Sequence, residues 1–576
     1  MNKRNSKPEL LIKWRYYLVV AVICLVFASL AGRAAYIQVI APERLVYEGD
    51  LRSIRTKTSR AERGIITDRF GRELAVSVPV SAIWADPKII HDQNSLLKRQ
   101  SWQALAKVLE TDIDNLQARV KDPQRRFVYL QRQVSPAVAD YVKKLRIKGI
   151  NVKPESRRFY PTGEVSAHLV GFTNIDDLGQ EGVERSYNDW LTGQPGQRRV
   201  RKDRTGRVIE DLAIIKERED AQHIQLSIDQ RVQALAYREL KKAVAETKAT
   251  SGSVVVLDIA TGEVLAMANS PSFNPNDRGQ LQSYRYRNRA LTDAYEPGST
   301  AKPFTMLAAL ENHLVSEDTI IDTSPGWRQI GGQRVRDARN YGEIDMATAM
   351  QKSSNVVTSQ LADEVGVEGM LDTLYKLGFG NDSGLGLVGE SAGYMPQRRR
   401  WSDFELATLS FGYGVMVTPL QLAQAYATLG SGGVYRPISI IKLEQGNPGQ
   451  QVFSEGSARS VLNMLEHVVH PEGTGSRAAV DGYRVAGKTG TSRKAVRGGY
   501  GDDYVAVFAG VAPVSNPRLA IAVFINEPQT DSYSGGAVAA PVFSKVMQGG
   551  LQYLNVAPDA LDSRVVQLNG GGSNDS

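Results

Sequence analysis

The chain has 576 residues, 42% hydrophobic and 23% charged, a composition that excludes a disordered, collagen-like or mini-protein chain. Its length suggests about two to four domains. Lysine and arginine number 70 against 62 aspartates and glutamates, a formal net charge of +8 spread along the chain. This mild excess favours weak attraction to anionic surfaces and gives no support to nucleic-acid binding.

Cysteine and metal chemistry have few candidate residues. The single cysteine, Cys24, lies inside an apolar run, which excludes an intrachain disulfide and a thiolate nucleophile in water. Of six histidines, only His467 and His470 are spaced to share a helical face. We interpret this pair as helix surface, so the sequence predicts no metal site.

An uncharged apolar run covers residues 16–32, near the lower limit for crossing a hydrocarbon core of ~30 Å. Glu9 is the only acidic residue before it, against Lys3, Arg4, Lys7, Lys13 and Arg15. By the positive-inside rule we predict a cytoplasmic tail over 1–15, a transmembrane anchor over 16–36 and an external remainder. A cleaved signal peptide is the alternative.

The external chain divides into two predicted α+β domains. In the first, 37–224, we interpret 50–63 as a solvated stalk, Asp68–Gly71 as a turn between strands and 98–147 as helical. This domain offers no recognisable catalytic cluster.

The second predicted domain, 225–562, opens with a helical pattern. Two strands joined at Thr261-Gly262 follow, and the domain closes with an antiparallel pair, VAVFAGVAP and LAIAVFINEP. The Gly- and Ser-rich segment 563–576 is predicted to be a disordered tail.

A serine activated by a lysine one helical turn away is the remaining compact nucleophile, and Ser-x-x-Lys occurs three times. Ser299 follows the turn Glu296-Pro297-Gly298 and precedes an apolar run. The helix should therefore begin at about Ser299, which places Lys302 on the same face. The pairs that begin at Ser95 and Ser439 are interpreted as an exposed helix start and a strand.

Two further motifs complete the candidate site. Lys302 needs a lowered pKa to accept a proton, so a second cation is expected, and Lys488-Thr489-Gly490-Thr491 supplies one. Its glycine permits close approach to the strand, and its threonines can bind a carboxylate. Between the two motifs lies Ser353-Ser354-Asn355, which can direct a hydroxyl and an amide into one cleft.

One other pattern does not carry function. The sequence Gly384-Leu-Gly-Leu-Val-Gly389 matches a dinucleotide-binding fingerprint but leads into no evident helix, so we interpret it as a turn.

The ordered triple Ser299–Lys302, Ser353–Asn355 and Lys488–Thr491 resembles the signature of penicillin-binding proteins and β-lactamases. With RGIITDRFGRELAVS, RRFYPTGEVSAHLVGFTN, YEPGSTAKPF and SFGYGVMVTPLQLAQAYA, the chain is similar to the class B high-molecular-weight penicillin-binding proteins, and most to their cell-division branch. The resemblance implies an elongated non-catalytic pedestal followed by a serine β-lactamase-like transpeptidase domain. It assigns Arg63, Gly64, Asp68, Arg69 and Gly71 to structure.

The resemblance also implies a mechanism without metal or organic cofactor. Ser299 would attack the penultimate D-Ala carbonyl of a stem peptide with Lys302 as general base, and Ser353 would pass the proton to the leaving amine. Asn355 would hold the peptide amide, and Lys488 would supply positive potential. Thr489, Gly490 and Thr491 form the substrate-binding strand, whose threonines would bind the terminal carboxylate.

Partners and location follow from the same resemblance. The implied ligands are D-Ala-D-Ala stem peptides and β-lactams, and the implied partners are division-complex membrane proteins, including a polytopic glycan-polymerising glycosyltransferase. The expected location is the bacterial inner membrane, with the catalytic domain in the periplasm and enrichment at the septum. A D,D-carboxypeptidase or β-lactamase, and a β-lactam sensor or division scaffold without turnover, are the alternatives.

Overall fold

The computed structural model describes residues 13–40, 42–59, 62–203, 208–277, 279, 282–496 and 498–560. The tail predicted over 563–576 and most of the tail predicted over 1–15 lie outside these residues. The described chain forms two compact units, one within 1–61 and 193–221 and the other within 62–192 and 222–576. The domain boundary near residue 225 stays a prediction.

The described chain is rich in both helices and strands, and the predicted α+β class is confirmed. The helices are α1 Lys13–Ala35, α2 Pro42–Ser53, α3 Pro87–Asp92, α4 Arg99–Val108, α5 Ile113–Arg119, α6 Pro136–Lys144, α7 Ala167–Val170, α8 Gly182–Ser186, α9 Asn188–Thr192, α10 Gln230–Glu246, α11 Ser283–Tyr286, α12 Arg289–Thr292, α13 Lys302–Glu311, α14 Met346–Lys352, α15 Asn355–Lys376, α16 Asp403–Leu409, α17 Pro419–Gly430, α18 Glu455–Val469, α19 Gly535–Val538 and α20 Ala540–Tyr553. The strands are β1 Ile54–Ser59, β2 Ile66–Thr67, β3 Glu73–Ala85, β4 Val128–Val134, β5 Ile150–Phe159, β6 Gly196–Lys202, β7 Val208–Lys216, β8 Ile224–Gln225, β9 Ser251–Asp258, β10 Val264–Ser270, β11 Ile320–Asp322, β12 Trp327–Ile330, β13 Gln333–Arg336, β14 Glu343–Asp345, β15 Val434–Tyr435, β16 Gln450–Gln451, β17 Ala486–Val496, β18 Gly499–Ala512 and β19 Leu519–Asn526.

The first unit contains the apolar helix and a small sheet. Residues 13–39 form the one helix in the described part of the chain that is long and apolar enough to cross a membrane, with a mean hydropathy of 2.3. Strands β1, β6 and β7 form an antiparallel sheet in that order. The solvated stalk expected over 50–63 is therefore wrong, because β1 pairs with β6, a partner distant in sequence.

In the second unit, the chain first builds a sheet of order β4-β3-β2-β8, with β5 also paired to β3. The turn expected at Asp68–Gly71 is confirmed: the Asp68 Oδ1 accepts hydrogen bonds from the backbone amides of Phe70 and Arg72, each at 2.8 Å. The helix expected over 98–147 is wrong at β4, which adds to the long strand β3 instead. Helices α3 to α6 surround this sheet, with Trp102 fully buried in their core.

A buried ion cluster underlies the Arg63-Gly64 start of this module. Glu184 accepts hydrogen bonds from the Nε of Arg63 and the Nε of Arg158, both at 2.6 Å, and all three side chains are buried. A Cβ on Gly64 would lie 1.9 Å from the Gln222 carbonyl oxygen. These contacts are structural, as the sequence analysis expected for this segment.

The five-stranded antiparallel sheet β10-β9-β19-β18-β17 organises the rest of this unit. One face packs against α10 and α20, and the other against α13, α15, α17 and α18. The expected β9–β10 and β18–β19 pairs are confirmed. The prediction that the domain ends with this antiparallel pair is wrong, because helix α20 follows β19 and packs on the sheet. Strand β17, which carries Lys488, is an edge strand.

Candidate active site

The first motif lies where a buried helix begins. Gly298–Ala301 form a 3-10 turn that runs directly into α13 at Lys302, and Pro303 occupies the first turn of α13. Gly298 has a φ of +54°, which favours glycine. The predicted helix start at about Ser299 is confirmed. Ser299 is half-buried and lies at the positive end of the helix.

The side-chain nitrogen of Lys302 lies beside Ser353 of the second motif. Its side chain is 1% exposed, and its Nζ donates hydrogen bonds to the backbone oxygen of Ser353 at 2.5 Å and to the Ser353 Oγ at 3.1 Å. No hydrogen bond joins Lys302 to Ser299 among the described residues. Burial lowers the pKa of Lys302 well below its usual value, the charge of Lys488 lowers it further, and Asp337 opposes both effects.

Lys488 is the second buried cation. It is fully buried on β17, and burial lowers its pKa to about 7. Its Nζ lies 3.4 Å from the Thr489 carbonyl oxygen. Because a charged Lys488 disfavours a second charge nearby, it favours the neutral form of Lys302, which can accept a proton.

Ser353 joins two helices in a strained conformation. It ends α14 with φ of 58° and ψ of 47°, a left-handed conformation that is costly for a residue with a Cβ. Ser354 then caps α15, its Oγ accepting the Val357 amide at 3.1 Å. Asn355 begins α15 and donates its Nδ2 to the Arg336 carbonyl oxygen at 2.9 Å.

Asp337, just after β13, fixes this segment and was missed by the sequence analysis. It accepts hydrogen bonds from the Ser354 Oγ at 2.6 Å and from the backbone amides of Asn355 and Val356 at 2.5 and 3.1 Å. A carboxylate is stabilised at the positive end of a helix. The sequence carries no signal for it, because Asp337 stands in no recognisable motif.

The third motif lies along the edge of the sheet beside the nucleophile turn. Residues 488–491 pair with β18 on one side only. A Cβ on Gly490 would lie 2.7 Å from the Pro297 carbonyl oxygen, so this glycine permits the close approach that the sequence analysis anticipated. The Thr489 Oγ1 lies 3.1 Å from the Thr474 Oγ1, and the Thr491 Oγ1 accepts the Gly535 amide at 3.0 Å.

The remaining sequence candidates lie elsewhere. Ser95 is 1% exposed in a 3-10 turn, so its expected exposure is wrong: the Trp102 indole, which donates to the Ser95 carbonyl oxygen, covers this turn. The Ser439 hydroxyl donates a hydrogen bond to the nearby Ile441 carbonyl oxygen. Residues 384–389 form a loop between α15 and α16. In the described chain, no group of three or more His, Cys, Asp or Glu side chains could hold a metal ion.

Two family models match the chain. The penicillin-binding protein transpeptidase domain matches residues 252–548, and the penicillin-binding protein dimerisation domain matches 58–226. The chain belongs to the class B penicillin-binding proteins, a family of serine-type transpeptidases.

Among its relatives are two curated transpeptidases. The peptidoglycan D,D-transpeptidase FtsI of Escherichia coli K12 is 52% identical over 561 residues, covering 97% of this chain and 95% of that protein. The probable peptidoglycan D,D-transpeptidase PenA of Neisseria meningitidis serogroup A is 41% identical, covering 96% of this chain and 95% of that protein.

Solved structures share the fold over most of the chain. A peptidoglycan synthetase from Bifidobacterium adolescentis has a TM-score of 0.70 at 26% identity, covering 88% of this chain and 98% of its own. Penicillin-binding protein 3 of Mycobacterium tuberculosis, complexed with aztreonam, has a TM-score of 0.68 at 28% identity, covering 87% and 98%.

Proposed function

We propose that Ser299 is the acyl-forming nucleophile of a peptidoglycan D,D-transpeptidase that cross-links stem peptides in septal cell-wall synthesis. One observation carries this proposal: Lys302, the residue one turn after Ser299, is buried, has a lowered pKa and is hydrogen-bonded to Ser353. A neutral lysine beside a serine hydroxyl is a general base.

In the first half-reaction, Lys302 takes the Ser299 proton as the serine Oγ attacks the penultimate D-Ala carbonyl. The peptide C–N bond then breaks, an acyl-serine forms, and D-Ala leaves with a proton relayed through the Ser353 hydroxyl. The Lys302–Ser353 hydrogen bond of 3.1 Å supports that relay.

Charge on the tetrahedral intermediate is stabilised by the backbone amides of Ser299 and Thr491. The free edge of β17 supports substrate binding as an added strand, with Thr489 and Thr491 at the terminal carboxylate and Lys488 supplying positive potential. Asn355 holds the peptide amide after turning from the Arg336 carbonyl oxygen. A β-lactam, which carries a carboxylate beside a reactive amide, acylates the same serine.

In the second half-reaction, a side-chain amine of a neighbouring strand attacks the acyl-serine carbonyl and releases Ser299. A peptide cross-link forms, and the amine proton returns through Lys302. Hydrolysis by water would make the protein a carboxypeptidase or a β-lactamase, so the lifetime of the acyl-serine in water distinguishes these activities.

The first unit supplies the membrane context. The apolar run 16–32, preceded by five basic residues, anchors the chain once with its N-terminus in the cytoplasm and its catalytic domain in the periplasm. The pedestal, 37–224, then precedes the transpeptidase domain, 225–562. The pedestal and the anchor dock division-complex membrane proteins, including a polytopic glycosyltransferase, at the septum.

The test is intact-mass spectrometry of the full chain in detergent with benzylpenicillin. One slowly hydrolysed adduct is expected on the wild type and on Ser439→Ala, and none on Ser299→Ala. An adduct that survives Ser299→Ala removes Ser299 as nucleophile. A cross-linking assay with an amine acceptor then separates a transpeptidase from a sensor without turnover.

A further inference from the structure

Glu296, three residues before Ser299, occupies a position for which the mechanism above has no use. Its side chain is buried, and its Oε1 accepts hydrogen bonds from the Gly414 amide at 2.8 Å and from the Tyr500 hydroxyl at 3.1 Å. Its backbone oxygen accepts the Ser492 hydroxyl at 2.8 Å. Glu296 thus bonds to the 412–414 loop and to both strands of the β17–β18 hairpin, all of which lie more than 100 residues from it in sequence.

Each of these segments borders the reaction centre. Ser492 directly follows Thr491 on β17, and Tyr500 begins the paired strand β18. The loop at 412–414 presses on the nucleophile turn from another side, because the Gly298 amide donates to the Gly412 carbonyl oxygen at 3.2 Å. A Cβ on Gly412 would lie only 2.2 Å from the Gly298 carbonyl oxygen.

The Glu296 carboxyl group is kept at a cost. Its Oε2 is buried and has no hydrogen-bond partner among the residues that the structure describes. Burial raises the pKa of Glu296, and the hydrogen bonds from Gly414 and Tyr500 oppose that rise. A buried acid with one unpartnered oxygen lowers the stability of the fold, so its presence here calls for a functional reason.

We propose that Glu296 is a positioning residue that holds the Ser299 turn against β17, so that the backbone amides of Ser299 and Thr491 stay aligned on one oxygen. The two amides belong to different elements. The Glu296 backbone oxygen joins the turn to β17 through Ser492, and its carboxyl group joins the turn to β18, the paired strand of β17, through Tyr500. This role rests on the proposed function of Ser299. It predicts that substitutions slow acylation without weakening the initial, noncovalent binding, because the aligned amides act on the transition state.

The test measures noncovalent affinity and acylation rate separately, with a fluorescent penicillin and the full chain in detergent. Tyr500→Phe removes one bond at a half-exposed ring, so folding is kept, and its acylation rate should fall about fivefold. Glu296→Ala should lower it by about 100-fold, as small misalignments of reacting groups do. Glu296→Gln should restore most of the rate, because an amide oxygen can accept the same two hydrogen bonds.

Tyr375→Phe, at an exposed tyrosine near the end of α15, is the matched control and should acylate like the wild type. The proposal is overturned if Tyr500→Phe and Glu296→Ala acylate at the wild-type rate, or if Glu296→Gln is as slow as a folded Glu296→Ala. Should Glu296→Ala fail to fold, Tyr500→Phe and Glu296→Gln decide. A wild type that forms no adduct on Ser299 contradicts the proposed function instead, so the two failures are distinct.

Discussion

The positive charge of Lys488 on β17 lowers the pKa of Lys302 on α13, although the two lysines belong to different motifs and different layers of the fold. Both side chains are buried, and burial alone already disfavours their charged forms. The consequence is that the protonation of Lys488 controls how readily Lys302 becomes neutral.

Replacing Lys488 with methionine should therefore change the pH dependence of acylation. Without the neighbouring charge the pKa of Lys302 rises, less of it is neutral at a given pH, and the acidic limb of the acylation profile moves to higher pH. The measurement is the acylation rate constant against pH. Lys494→Met, on the same strand and partly exposed, is the control, and an unmoved limb in Lys488→Met would contradict the coupling.

The same substitution should stabilise the fold. Burial lowers the pKa of Lys488 from 10.5 to about 7, so between these values the unfolded state binds more protons and wild-type stability rises with pH. Below pH 7 the destabilisation is complete, on the order of 5 kcal/mol. Thermal unfolding of Lys488→Met should thus show a gain over the wild type that is largest at and below pH 7 and disappears towards pH 10.5.

Ser353→Gly should separate stability from activity. Glycine adopts the left-handed conformation of Ser353 freely, so the free energy of unfolding should stay the same or rise by up to about 1 kcal/mol. The unfolding temperature of the variant should accordingly be no lower than that of the wild type. Acylation should nevertheless fall, because the hydroxyl bonded to Lys302 is lost. Ser353→Ala, which keeps the strain, should be equally slow but less stable. A Ser353→Gly variant with wild-type acylation would exclude the hydroxyl relay.

Gly490→Ala should increase the separation between β17 and the turn that carries Ser299. The new Cβ would lie 2.7 Å from the Pro297 carbonyl oxygen, so β17 must move away from the nucleophile turn. Acylation should slow by about 100-fold. Gly456→Ala is the control, since a Cβ there meets nothing within 4 Å and alanine suits the helix α18. Equal rates for both variants would mean that this close approach does not matter.

Asp337→Asn should act in the opposite direction to Lys488→Met. Loss of the negative charge lowers the pKa of Lys302, so the acidic limb of acylation moves to lower pH. The plateau rate should fall by about tenfold, because the strong bond from Ser354 is weakened. Asp363→Asn, which changes an acid of α15 paired with Arg328, should alter neither quantity. A limb that moves upward would contradict the assigned charge effect.

The sequence was sufficient for the parts of the site that are local. A turn, a serine and a lysine in one helical turn define the start of α13 by short-range rules, and the two apolar runs on either side of a Ser-Asn-Pro turn define the β18–β19 pair. Gly490 was correctly read as a point of close approach, because a glycine inside a strand has few other uses.

The sequence was insufficient where a contact depends on residues far apart. Asp337 and Glu296 act through bonds to segments that only the tertiary fold brings near, and no spacing rule marks either one. Strand β4 was mistaken for helix because its pairing with β3, not its own pattern, decides its conformation. Ser95 was judged exposed from its polar neighbours, whereas Trp102 covers it.

The short parallel pairing of β2 with β8 has an evolutionary consequence. The Ile65 amide donates to the His223 Nδ1, and Ile66 and Thr67 run beside Ile224 and Gln225, so the chain departs and returns at one place. The segment 68–223 therefore begins and ends at adjacent strands of one sheet. The exposed loops of this segment can vary in length, but its buried residues Leu169 and Val183 share one core with Phe304 of α13. We therefore expect lineages to vary those loops and to keep the core face, because the surroundings of Ser299 depend on it.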